Sequence, residues 1–165
     1  DFLFLDDIMY IGGNNMTNNE LNDLIQSICD KEGIIFHNME NDEEHCRGYD
    51  LFDASSCGGN EIWIGKYSDV TIKAASFFHE LSHTKLCKFQ SHKDMCIYNR
   101  EVSCWINAIA MFQQYDFVIT EELLLYINKC LTTYRLGVGY DDSSPNFWCD
   151  KRKDSGCKDC DGKGD

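Results

Sequence analysis

The chain has 165 residues, and its 28 aspartates and glutamates outnumber its 15 lysines and arginines, which gives a formal net charge of −13. This length fits one domain, and a hydrophobic share of 43% is too high for a disordered chain. The acidic charge disfavours nonspecific nucleic-acid binding, and no apolar run approaches the roughly 20 residues that a membrane-spanning helix needs.

Ten cysteines leave the cellular compartment open. They suit either disulfides in a secreted protein or free thiols and metal ligands in a cytosolic one. The first residues lack the pattern of a signal peptide, with neither a basic start nor a long apolar core. Four cysteines lie in segments with a helical pattern, where a small buried side chain is their ordinary role: Cys29, Cys87, Cys104 and Cys130. We therefore expect a cytoplasmic protein with mostly reduced thiols, and a secreted protein is the alternative.

The first predicted elements are a helix and a short strand. Thr17 and Glu20 have the spacing of a capping box, which begins a helix with one apolar stripe, and Gly33 ends it. Residues 34–36 follow as a short buried strand, and the polar, acidic stretch 38–47 is expected to be an exposed loop.

A second strand and three helices follow. A strand is predicted over 61–65, after a double-glycine turn signal. Ser68 or Asp69 then caps a helix that runs to about residue 88. A polar break separates it from a long apolar-periodic helix over about 95–115, and Thr120 starts the last helix. The order predicts an α+β fold.

The predicted helix after the second strand carries the sequence His79-Glu80-Leu81-Ser82-His83. Two histidines four residues apart project from one helical face, so both imidazoles can reach one zinc ion. Glu80 is placed to take a proton from zinc-bound water and to deliver it to a leaving amine. The motif therefore predicts a catalytic zinc centre.

A catalytic zinc ion usually takes a third protein ligand. Glu101 lies in the next predicted helix, on a face that it shares with apolar residues. Burying an acidic side chain there is costly unless it is paired or binds a metal, so Glu101 is the predicted third ligand. His92 and Asp94 are the alternatives.

Substrate contacts are less constrained by the sequence. A second donor to the oxyanion is usually needed, and Tyr98, Tyr67 and His37 are unranked candidates. The strand over 61–65 precedes the motif helix and could offer its edge to an extended peptide, although an ordinary edge strand is an equal alternative.

Two segments resemble the ImmA/IrrE-type zinc metallopeptidases, including small phage-like members: Phe77–His83 (FFHELSH) and Asn99–Ala108 (NREVSCWINA). The resemblance implies a compact zincin-like (gluzincin) domain, with a small sheet, the HExxH helix and a following helix that bears a glutamate. It also implies a zinc-dependent endopeptidase that acts on a protein or peptide. The residues it assigns are the zinc ligands His79, His83 and Glu101, with Glu80 as the general base.

The expected domain covers residues 1–136, and a Cys- and Gly-rich tail covers 137–165. Within the tail, the C-x-x-C-x-G-x-G sequence that starts at Cys157 and includes Cys160 resembles a single DnaJ-type zinc-binding repeat. The resemblance implies a structural zinc site to which this repeat supplies two ligands, and Cys149 is a candidate third ligand because a closed site needs four. A disulfide or an unligated tail is the alternative.

Two other functions are compatible with the sequence. One is a peptidase linked to DNA, of the SprT-like or antirestriction-associated kind. The net charge counts against it, because only residues 151–153 form a basic cluster. The other is a cysteine-stapled extracellular binding protein in which the HExxH sequence is coincidental.

Overall fold

The computed structural model describes residues 16–40, 55–58, 60–86, 88–89, 91, 95 and 97–136. Its helices and strands, in chain order, are α1 (Asn18–Glu32), β1 (Ile35–Asn38), β2 (Ser55–Gly58), β3 (Glu61–Ile64), α2 (Val70–Leu86), α3 (Ile97–Gln114) and α4 (Glu121–Leu136). This confirms the α+β class. None of the helices in this part of the chain is long and apolar enough to cross a membrane.

The ends of α1 follow the predicted signals. Thr17 is the N-cap: its Oγ1 accepts a hydrogen bond from the backbone N–H of Glu20, and Glu20 Oε2 accepts one from the backbone N–H of Thr17 at 2.7 Å. At the other end Gly33 adopts the left-handed conformation, with φ 67°, and its N–H bonds back to the last turn. The capping box and the glycine stop are both confirmed.

The caps of two later helices are also those expected. Asp69 Oδ1 accepts a hydrogen bond from the backbone N–H of Ile72 at 2.8 Å, so Asp69 caps α2. Thr120 Oγ1 accepts one from the backbone N–H of Leu123 at 3.2 Å at the start of α4.

The three strands form one sheet in the order β1-β3-β2, with β1 parallel and β2 antiparallel to β3. Strand β3 is therefore central, and the expectation that residues 61–65 offer a free edge is wrong. Both sides of β3 are already hydrogen-bonded, one to β1 and the other to β2. Within the described residues the outer strands are β1 and β2.

The strand expected over 34–36 lies slightly later, over 35–38, and is not buried. Ile34 is buried just before it, but Ile35 is 56% exposed. An outer strand has one neighbour, so part of its side chains face solvent.

Helix α2 lies at the centre of the fold. It packs against β2 and β3, and also against α1, α3 and α4. Every residue from 73 to 82 is buried, which is unusual for a helix that contains lysine, histidine and glutamate. Phe78 sits edge-on to Phe112 of α3, with ring centroids 6.3 Å apart, and so helps to fix α2 against α3.

A polar cluster around Lys73 fixes the start of α2. Its side chain is fully buried, and its Nζ donates hydrogen bonds to Asn18 Oδ1 at 2.9 Å, Asn22 Oδ1 at 2.6 Å and Glu40 Oε1 at 2.6 Å. All three ammonium protons are thus satisfied. Glu40 is mostly buried in this cluster, so the expectation of an exposed loop over 38–47 is wrong at residue 40, and residues 41–47 lie outside the described ones.

Three cysteines in the described part are buried in three different helices and form no disulfide: Cys29, Cys104 and Cys130. Their burial confirms their expected place in the core. Several other predictions concern residues that lie outside the described ones: the whole tail over 137–165, with Cys149, Cys157 and Cys160, and the side chains of Cys87, His92 and Asp94.

Candidate metal centre

Two helices bring the candidate ligands together. His79 and His83 lie one turn apart on α2, and Glu101 lies near the start of α3. Asn107 of α3 donates a hydrogen bond to Ser82 Oγ of α2 at 3.2 Å, which holds the two helices in register. His79 is 6% exposed and Glu101 is 7% exposed, and His83 is partly exposed.

The three ligand atoms converge on one point. His79 Nε2 lies 3.1 Å from Glu101 Oε2 and 3.1 Å from His83 Nε2, and His83 Nε2 lies 3.4 Å from Glu101 Oε2. The structure therefore brings together the three residues that were predicted as ligands. Among the described residues they form the group of histidine, cysteine, aspartate and glutamate side chains that could hold a metal ion.

Hydrogen bonds alone do not satisfy this triangle. An imidazole nitrogen carries either a proton or a lone pair, so His79 Nε2 cannot donate to Glu101 and accept from His83 at the same time. A cation at the centre would accept a lone pair from each of the three atoms. The donor set therefore fits a metal ion better than it fits a hydrogen-bonded cluster.

The separations also fit zinc. Tetrahedral zinc binds imidazole nitrogen and carboxylate oxygen at roughly 2.0–2.2 Å, which places neighbouring ligand atoms about 3.3–3.5 Å apart. The observed separations of 3.1, 3.1 and 3.4 Å are close to these values. Two histidines and one glutamate are, in addition, a donor set typical of catalytic zinc.

The ionisation of the triangle is strongly perturbed. Burial opposes the charge on Glu101, but hydrogen bonds and charges from His79 and His83 outweigh it and lower the pKa of Glu101 to about 2. Burial likewise opposes protonation of His83. Contacts with Cys104 and Glu101, together with the charges of Glu101 and Glu80, outweigh it and raise the pKa of His83 to about 12. A metal ion must displace this proton, so its binding weakens in acid.

Glu80 lies beside the triangle without being part of it. It follows His79 directly and precedes His83 by three residues, which places Glu80 and His83 as neighbours on the helix surface. Its side chain is buried, and its negative charge favours the protonated form of His83. A carboxylate in this position can exchange a proton with a water molecule bound near His83.

Two residues of α3 contact the two histidines from behind. Cys104 Sγ lies 3.3 Å from His83 Nδ1. The Trp105 ring stacks on the His79 ring, with centroids 4.1 Å apart and planes inclined by 24°. Sequence analysis missed both contacts. The available signal was their spacing from Glu101, because positions three and four residues along a helix share its face.

The two histidines are held differently. The Nδ1 of His79 and the Nε1 of Trp105 are both buried and have no hydrogen-bond partner within the described ranges. Within the described part of the chain, stacking on Trp105 therefore orients His79, whereas the contact of Nδ1 with Cys104 Sγ orients His83.

Tyr67 and Tyr98, two of the three candidates for substrate contact, occupy different positions relative to the ligands. Tyr98 is half-buried on α3, one turn before Glu101. Tyr67 is half-buried between β3 and α2, and its side chain hydrogen-bonds to Tyr126. Tyr126 lies edge-on to Trp105, with ring centroids 6.2 Å apart. Burial raises the pKa of Tyr126, and sequence analysis did not single this residue out.

The third candidate, His37, has its contacts in the sheet. Its ring stacks on Trp63 at a centroid distance of 4.9 Å, and its Nε2 pairs with Glu61 Oε2 at 2.8 Å. These contacts attach it to β3 and not to the ligand triangle. The role of all three candidates in substrate binding stays a prediction.

Comparison of the chain with protein-family models, with curated protein sequences and with solved structures gives no match. The geometry of His79, His83 and Glu101, with Glu80 beside them, therefore carries the functional interpretation by itself.

Proposed function

We propose that the chain is a zinc-dependent endopeptidase that hydrolyses a peptide bond in a protein substrate. The observation that carries this proposal is the convergence of two imidazole nitrogens and one carboxylate oxygen, at separations of 3.1 to 3.4 Å, beside the carboxylate of Glu80. The order of a small sheet, the motif helix and a glutamate-bearing helix agrees with the zincin-like (gluzincin) domain that the resemblance implies.

His79, His83 and Glu101 would hold the metal, and each has a defined part. The two histidines would bind through Nε2 as neutral ligands, and Glu101 would contribute one negative charge. When bound, zinc supplies the Lewis acidity that lowers the pKa of water and polarises the substrate carbonyl. With Glu101 as the one anionic ligand, the loaded site would keep a net positive charge, which would favour negative charge on the substrate oxygen.

Glu80 acts as the general base. Its carboxylate takes a proton from the attacking water and hands it to the amine that leaves when the peptide bond breaks. Its side chain is buried, so the carboxylate is largely removed from bulk water. A glutamine at this position keeps the shape of the side chain but removes its basicity.

The cysteines of the helices support a reducing compartment. Cys29, Cys104 and Cys130 are buried in three separate helices without forming a disulfide, which is the ordinary arrangement of cysteines in a core. This weighs against the cysteine-stapled binding protein and agrees with the expected cytoplasmic location.

A Glu80→Gln variant tests the catalytic part of the proposal. We expect it to bind zinc as the parent chain does and to lose roughly 100-fold or more of the zinc-dependent cleavage of a fluorogenic peptide library. Glu122→Gln, which changes an exposed glutamate on α4, is the matched control and should retain full activity. Equal cleavage by the Glu80→Gln variant and the parent would contradict the assignment of Glu80.

A further inference from the structure

We infer that Cys104 is a positioning residue for the metal centre, with its sulfur accepting a hydrogen bond from His83 Nδ1–H. This inference rests on the proposed zinc site and adds a residue to it. The contact is direct: Sγ and Nδ1 are 3.3 Å apart, a hydrogen-bonding distance for a sulfur acceptor.

The tautomer of His83 explains what the contact does. A neutral imidazole has one protonated nitrogen and one lone pair. To bind a metal together with His79 and Glu101, His83 must present its Nε2 lone pair to them, so the proton must sit on Nδ1. An acceptor at Nδ1 favours that tautomer and also fixes the rotation of the ring.

The surroundings of Cys104 make it a fixed acceptor. Its side chain is fully buried on α3. It also lies one turn after Glu101, so the same helical face supplies a ligand and the group that orients a second ligand. A displacement of α3 would therefore disturb both at once.

A helical cysteine at this position has a plain alternative role as a small core residue. Cys29 provides the comparison, since it is equally buried on α1 and has no place at the ligand triangle. If Cys104 only filled space, replacing either cysteine would affect zinc binding equally little. If Cys104 orients His83, only its own replacement weakens zinc binding.

The experiment measures the zinc dissociation constant of the full chain by competition with a chromophoric chelator. We expect Cys104→Ala to bind zinc about tenfold or more weakly than the parent, as is typical when the partner of a metal-binding histidine is removed. Cys104→Ser, which keeps an acceptor in the same place, should recover most of that loss. Cys29→Ala should bind zinc as the parent does.

Cys104→Val controls for a loss of folding, because valine fills the space of the thiol but offers no hydrogen-bond acceptor. It should weaken zinc binding as the alanine variant does. Cobalt adds a spectroscopic readout: the visible absorption of the cobalt-loaded chain should shift in the alanine and valine variants and be restored in the serine variant. Parent-like zinc affinity in both the alanine and valine variants would overturn the inference while leaving the zinc site intact. A parent chain that binds no zinc would instead overturn the proposed function itself.

Discussion

The Nε2 atoms of His79 and His83 lie 3.1 Å apart, and they lie 3.1 and 3.4 Å from the same oxygen of Glu101. One turn of α2 places the two histidines on the same face, but the third candidate ligand comes from a different helix. The triangle therefore forms only when α2 and α3 are packed together. Metal binding and folding are coupled in such a site, because the unfolded chain does not hold the three ligands in place.

The first prediction concerns this coupling. Zinc should raise the free energy of unfolding, by about 2.7 kcal/mol when its free concentration is 100 times the dissociation constant. Thermal melting with zinc and with a chelator measures the effect. A Glu101→Gln variant should show a much smaller shift, because it lacks the anionic ligand. An equal zinc-induced rise in melting temperature in the variant and the parent would mean that zinc binds at another site.

The second prediction concerns Trp105, whose ring is 4% exposed and stacks on His79. Trp105→Ala should destabilise the chain by about 3–5 kcal/mol and weaken zinc binding, because it opens a cavity and frees the His79 ring. Trp105→Phe keeps a stacking ring and should lose less of both. Urea unfolding with a chelator present measures the change in stability. Competition with a chromophoric chelator measures the change in zinc affinity.

Trp63 provides the control for this pair of variants. It is half-buried in the sheet and stacks on His37, so Trp63→Ala should leave the zinc affinity unchanged. If Trp105→Ala also leaves the zinc affinity unchanged, the stacked ring does not orient His79.

The third prediction is a pH dependence that arises at Glu40. Burial opposes its charge, but hydrogen bonds from Lys73, Asn18 and Asn22 and the charge of Lys73 lower its pKa from 4.5 to about 2. A carboxyl whose pKa is lower in the folded state stabilises the fold above its unfolded pKa. That contribution is lost as the pH falls from about 4.5 towards 2.

The Glu40→Gln variant isolates this contribution from that of other carboxylates. At neutral pH the variant should have a lower free energy of unfolding than the parent. The difference should shrink as the pH falls through the window between 4.5 and 2. Urea unfolding of both chains across this window provides the measurement, and a difference that does not change with pH would contradict the assignment.

A Lys73→Met variant removes the cation that pairs with Glu40. It should lower the free energy of unfolding by about 3 kcal/mol, because the charge of Glu40 is left without its partner.

The fourth prediction concerns Gly33, which ends α1 with a φ of 67°. A Cβ at this position would meet nothing within 4 Å, so the cost of a side chain is conformational and not steric. Gly33→Ala should therefore destabilise the fold by about 1 kcal/mol, and Gly33→Asn by less, because asparagine tolerates the left-handed region. Equal stability of the alanine variant and the parent in urea unfolding would contradict this account.

The features that sequence analysis predicted correctly are local ones. The capping pair of Thr17 and Glu20 spans one helical turn, and so does the pair of His79 and His83. Glu101 was identified by another physical argument, the cost of burying an acid on an apolar helix face. Its 7% exposure and its place in the triangle agree with that argument.

The features that were not predicted from the sequence depend on contacts between distant parts of the chain. Strand β3 is central because β1, which lies far before it in the sequence, pairs with its second side. Lys73 and Glu40 are separated by 33 residues, and His83 and Cys104 by 21. A periodic pattern reports which face of an element is buried, but it does not report which element covers that face.

The most direct test of the zinc site is the zinc content of the purified chain beside two histidine variants. Cys157→Ser and Cys160→Ser are introduced into all samples, so that the tail cannot contribute zinc. His83→Ala removes a proposed ligand, whereas His37→Ala removes a histidine whose contacts lie in the sheet. The account predicts one zinc ion per chain for the parent and for His37→Ala, and a loss of that ion in His83→Ala. Zinc content in His83→Ala equal to that of the parent would contradict it.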